Sequence, residues 1–130
     1  MKKLLVLITV LLFTVSTFAQ KEKIYLTVHT TIFIKNNVSS TYHTKSKIEF
    51  NADMSRMKLI SPSGTFFYLV FKGKTYKENE FLYLEGSAIE TKSKSSLGIY
   101  IAVNVLTEEF HITLSGFEGD DYDKLMLIAK

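Results

Sequence analysis

The sequence predicts an all-β protein: a single antiparallel meander of about eight strands, a small barrel or a two-layer sandwich, preceded by a helical signal peptide. Three observations carry this. Apolar residues recur at every second position through most of the chain, and the links between these runs are short. Sustained i, i+3, i+4, i+7 apolar spacing occurs only in the leader. Short links leave no room for crossover helices, so successive strands are expected to pair antiparallel.

The leader has three parts. Met1-Lys2-Lys3 is a cationic start, Leu4 to Phe18 is an uncharged apolar run, and Thr17-Phe18-Ala19 puts small residues where signal peptidase reads them. The pattern resembles the export signals of Gram-negative bacteria, with cleavage between Ala19 and Gln20. The run is shorter than the ~20 residues that a helix needs to cross a bilayer, which favours a cleaved leader over a retained anchor. The expected organisation is residues 1–19 as signal peptide and 20–130 as one all-β domain. The protein is expected to be exported, periplasmic or secreted, with no stable membrane anchor.

Within the domain, Ile24, Leu26, Val28, Ile32 and Ile34 hold one parity of the first strand, while Thr27, His29, Thr31 and Lys35 hold the other. Tyr42, Ile48 and Phe50 then alternate with His43, Lys45, Lys47 and Glu49, and Met57 and Leu59 alternate with Arg56 and Lys58. Further strands are expected over 65–71, 80–90, 98–105, 109–115 and 122–129. The runs 66–71 and 99–103 are apolar on both parities, which predicts central strands or strands covered on both faces. Turn residues separate the runs: Asn36-Asn37, Asn51-Ala52-Asp53, Ser61-Pro62-Ser63-Gly64, Lys72-Gly73-Lys74 and Gly116-Phe117-Glu118-Gly119. Asn and Gly tolerate positive φ, and Pro presets the first turn position. The longest polar loops are expected at Lys72 to Glu80 and Thr91 to Ser96.

Composition narrows the chemistry. With no cysteine in 130 residues, disulfides, thiolate metal centres and catalytic thiols are excluded. Lys2 and Lys3 supply two of the three net positive charges, so the domain after cleavage is near neutral. Its charges are divided: residues 35–77 carry a net +6 and residues 78–130 a net −6. If sequence neighbours are spatial neighbours, the molecule has a basic and an acidic flank.

Eight strands in an exported chain of this size is similar, in element count, to the lipocalin and fatty-acid-binding barrels. The Gly-x-Trp signature of the lipocalin first strand is missing from a chain without Trp, and the first strand here reads Ile24-Tyr25-Leu26-Thr27-Val28-His29.

No catalytic, cofactor or metal residues are assigned from the sequence. His29, His43 and His111 are the bases that titrate near neutral pH, each on a polar parity and at spacings that match no ligand motif. The turn Glu118-Gly119-Asp120-Asp121-Tyr122-Asp123 offers oxygen ligands for calcium but lacks the EF-hand spacing, and reads as an exposed turn. Glu78, Glu80, Glu85 and Glu90 are the carboxylates available for glycoside hydrolysis, with no spacing that singles out a pair. Phe66, Phe67, Tyr68, Phe71 and Tyr76 beside Lys72, Lys74 and Lys77 are the mixture that single-strand nucleic-acid binders use. Export and a near-neutral domain argue against nucleic acid. The expected function is an exported, non-enzymatic β-domain that binds a small apolar ligand or a glycan. The alternative is an envelope or secreted protein–protein interaction protein that uses a strand edge or its charged flanks.

Overall fold

The computed structural model describes residues 23–43, 45–117 and 122–130, so the expected signal peptide lies outside the described residues. Among these residues there is no helix. The strands are β1 (Ile24–Lys35), β2 (Val38–Tyr42), β3 (Ser46–Phe50), β4 (Arg56–Ser61), β5 (Gly64–Glu78), β6 (Phe81–Glu90), β7 (Ser96–Asn104), β8 (Phe110–Ser115) and β9 (Lys124–Ala129). They form one antiparallel sheet in the order β2-β1-β3-β4-β5-β6-β7-β8-β9, and β9 pairs back onto β1. That last ladder closes a barrel of eight strands and excludes the sandwich.

β2 and β3 are two parts of one return strand. Both lie on β1, β2 against Thr31 to Lys35 and β3 against Ile24 to Val28, with only His29 and Thr30 of β1 between the two ladders. The ladder from β3 to β4 ends at Lys47↔Ile60, so β2 overhangs the ring at one end.

Inward residues follow the period-2 rule and fill the lower barrel: Ile24 and Leu26, Ile48 and Phe50, Leu82 and Leu84, Ile101 and Val103, Phe110 and Ile112 are all buried. Each such side chain removed from water contributes about 1.5–3 kcal/mol. The β3–β4 turn closes that end. Asn51 Oδ1 accepts from the Arg56 N–H at 2.8 Å, the Met54 N–H donates to the Asn51 carbonyl at 2.9 Å, and Asp53 Oδ1 accepts from the Ser55 N–H at 3.0 Å. The folded turn holds Met54 at φ +60° and buries Ala52 and Met54 as a plug.

Four expectations need correction. In β1, the ladder to β9 shifts register between Val28 and Thr30, so parity flips past His29: Thr31 is buried, Phe33 lines the interior, and Ile32 and Ile34 face outward. Of the two alternatives for the run 66–71, a central strand holds, with β4 on one side and β6 on the other, and cover on both faces does not, because Phe67 and Phe71 are 50% and 51% exposed on the outside of the barrel. Lys72 to Glu80 is not a loop: β5 continues to Glu78, and Lys72-Gly73-Lys74 is a bulge within it rather than a turn. The strand expected over Tyr42 to Phe50 is not continuous: β2 ends at Tyr42 and β3 begins at Ser46.

The bulge at Gly73 bends β5 over β6 at Gly86. A Cβ on Gly86 would lie 2.2 Å from the Phe71 carbonyl oxygen, so only glycine lets the two backbones approach. Gly86→Ala is expected to destabilise the fold by about 1–3 kcal/mol in urea denaturation. An unchanged midpoint would show that the bend is not constrained there.

Candidate functional site

Opposite the Met54 plug, the barrel stays open around a cavity of about 790 Å³. Its existence follows from two local facts. The β1 bulge turns Thr31 inward where the alternation would have put a branched aliphatic, and Ser46 stands on the inward parity of Ile48 and Phe50. Two small, buried hydroxyl side chains thus occupy a level of the barrel where large apolar groups would fill the space.

The walls are apolar, from Leu59, Phe66, Leu97, Leu125 and Leu127. The rim has two unlike lips. One is aromatic: Phe33 and Tyr122 lie 4.8 Å apart between ring centroids, Phe117 packs edge-on to Tyr122 at 4.9 Å, and Tyr42 packs edge-on to Phe33 at 5.6 Å. The other is polar and comes from two hairpin turns, Ser61-Pro62-Ser63 and Lys92, Ser93 and Ser95. Its carboxylate, Glu90, accepts hydrogen bonds from the hydroxyl and the backbone N–H of Ser93. The Ser93 hydroxyl bond holds the Glu90 carboxyl below its ordinary range, against the opposing effect of burial, with further help from the backbone N–H groups of Ser93 and Lys92. No fully buried side-chain nitrogen or oxygen among the described residues lacks a partner. The arrangement can hold an apolar body against the walls and leave a polar end at the serine lip.

Tyr68 joins wall and floor. Its ring is buried on the inward parity of β5, and it lines the cavity. Burial pushes its phenol well above the usual tyrosine range, with Tyr122 and Glu90 adding to the shift.

The sequence candidates distribute unevenly. His29 and His111 meet one carboxylate on the outer face: His111 Nε2 is 2.9 Å from Glu109 Oε1, and His29 Nε2 is 3.5 Å from Glu109 Oε2. His43 is exposed in the β2–β3 link, one residue past the Thr31↔Tyr42 ladder pair. Among the described residues no group of three or more ligating side chains assembles for a metal. In the acidic turn, residues 118–121 lie outside the described residues, and Asp123 Oδ2 accepts from the Asn36 N–H at 3.4 Å. Glu78 and Glu80 flank Asn79 at the β5–β6 turn, Glu85 sits midway along β6, and Glu90 is at the cavity rim, at the far end of that strand. Of the aromatics in the basic half, Phe66 and Tyr68 line the cavity, while Phe67 and Phe71 are exposed outside. Tyr76 stacks on Tyr83 at 4.8 Å with Lys74 Nζ 5.0 Å above its ring.

The wall residues Thr31, Phe33 and Ser46 were not singled out by sequence reasoning. The signal for Ser46 was its position in the parity of Ile48 and Phe50. For Thr31 and Phe33 the segment 30–34 alternates equally well in either frame, so only the bulge decides. The chain matches no family model, no curated protein and no solved structure.

Two pH dependences follow. The folded Tyr68 phenol holds its proton above the free value of 10.0, so its contribution to stability is complete below that pH and is lost as pH rises beyond it. Tyr68→Phe is expected to lose less stability than the parent between about pH 10 and about pH 12 in equilibrium denaturation; equal losses would refute the assignment. Glu109 moves the other way. The His111 hydrogen bond lowers its pKa below 4.5, against burial and with help from His29, so its contribution is present above that value and lost in acid. The pair is solvent-exposed, so Glu109→Gln is expected to cost only about 0.5 kcal/mol near neutrality. That difference should shrink in melts as pH falls below 4.5, and a gap that stays constant into acid would count against it.

Proposed function

We propose that the protein is a non-enzymatic binding module that takes one small apolar molecule into the open end of the barrel, acting after export. The observation that carries this is the cavity of about 790 Å³, which lies within the range of ~300–1,000 Å³ usual for small-molecule sites. Its apolar walls and single polar lip favour a molecule with an apolar body and one polar end. Removing ~300 Å² of apolar ligand surface from water is worth about 7 kcal/mol before the cost of association, so micromolar or weaker affinity is expected.

A glycan platform on the outer face has less support. Tyr76 and Tyr83 stack at an interplanar angle of 23°, so their faces cover one another instead of lying open to a sugar ring.

Titration with the fluorescent probe N-phenyl-1-naphthylamine tests the reading. Emission is expected to rise saturably with the parent, and Ser46→Phe, which fills the cavity from its floor, is expected to remove most of the rise while far-UV circular dichroism stays unchanged. A parent without saturable binding, or a folded S46F protein that binds equally well, would overturn it.

A further inference from the structure

We infer that β2 is a pairing edge through which two copies of this chain join, antiparallel, with Ser40 of one copy opposite Ser40 of the other. Barrel closure removes free strand edges except where a strand overruns its neighbour. Among the described residues the longest such stretches are β2 and the far end of β5, which has only β6 beside it once the β4 ladder stops at Arg56↔Leu69; the first three residues of β1 and of β5 are shorter ones. The two edges are treated differently. That of β5 carries Lys72, Lys74 and Lys77 and the bulge at Gly73, the features that keep edges from pairing. β2 reads Val38-Ser39-Ser40-Thr41-Tyr42, with no charge, proline, glycine or bulge, and all five residues are exposed.

The backbone chooses the occupant. Asn36 and Asn37, at φ +52° and +65°, make a two-residue turn, so Lys35 and Val38 exchange both of their hydrogen bonds. Alternation then turns Ser40 and Tyr42 toward β1 as well and leaves the N–H and C=O groups of Ser39 and Thr41 directed outward. These groups are symmetric about Ser40. A second copy laid antiparallel and centred there pairs Ser39 with Thr41 twice, in four backbone hydrogen bonds, with none of the outward groups left over. Side chains agree: on one face Val38 (68% exposed) meets Tyr42 (52% exposed) of the other copy, and on the opposite face Ser39 meets Thr41. The ladder stops at these five residues, because the Asn36-Asn37 turn carries the chain back onto β1 at one end and β2 ends at Tyr42 at the other. Five paired residues bury less than the ~1,000 Å² of a stable interface, which implies a weak dimer seen at high concentration.

The absence of native cysteine makes the test direct, because a single introduced thiol has only its counterpart to meet. Under mild oxidation Ser40→Cys is expected to give a disulfide-linked dimer, since directly opposed, non-hydrogen-bonded strand positions suit a disulfide. Ser39→Cys, whose counterpart lies a diagonal away, is expected to give several-fold less. In sedimentation at rising concentration, the parent should dimerise. Ser39→Pro, which deletes an outward donor and spares the bonds to β1, should stay monomeric, as should Ser40→Lys, which leaves the backbone intact. A parent that stays monomeric to about 1 mM, equal cross-linking of S40C and S39C, or a folded S40K protein that dimerises like the parent would each overturn the proposal.

Discussion

β1 belongs to three ladders at once, and the rest of the barrel depends on that. Its first half pairs β3, its second half pairs β2, and β9 runs along its other side from Val28 to Ile34. A flat twelve-residue strand could not meet partners staggered in this way and keep one face toward a shared interior. The bulge at His29 takes up the mismatch with one extra residue. Without disulfides, the energy for closing the ring comes from the apolar interior and from completing the backbone ladder, and both terms need this strand in place.

How much of this was legible depends on the kind of information each residue carries. Periodicity gave the all-β class and the inward parity of Ile48, Phe50, Met57 and Leu59, because each is a local property of a half-buried strand, and the short links gave the antiparallel order. It misled where the local pattern was ambiguous. Phe67, Leu69 and Phe71 have the composition of a strand buried on both faces, yet a barrel of this width has only one inside, and its apolar outer residues stay in water. Lys72 to Glu80 looks like a polar loop because both faces of an overrunning strand are solvated. The candidate cavity was hidden for a different reason: it is bounded by Thr31 and Ser46, whose small size matters only once the register says they point inward.

The meander also gives spatial meaning to the divided charge. Successive strands are neighbours throughout the ring, so the basic block falls on the β3–β5 arc and the acidic block on the β6–β9 arc. The polar lip of the cavity draws on both, from the turn that ends β4 and the turn that ends β6. His29, His111 and Glu109 come together across β9, which separates β1 from β8, a meeting that sequence spacing does not reveal because closure brings the ends of the chain side by side.

The bulge at His29 separates two possible interiors of the same barrel. Laid against β9 without the bulge, the same residues would alternate unbroken from Val28, carry Ile32 and Ile34 to the inside in place of Thr31 and Phe33, and fill the open end with aliphatic groups. A hollow barrel and a solid one therefore lie one residue of register apart in a single strand. Deletion of His29 would remove the extra residue and leave Thr31 and Phe33 inward, so the interior space depends on how this strand is laid against β9 and not on the bulged side chain itself.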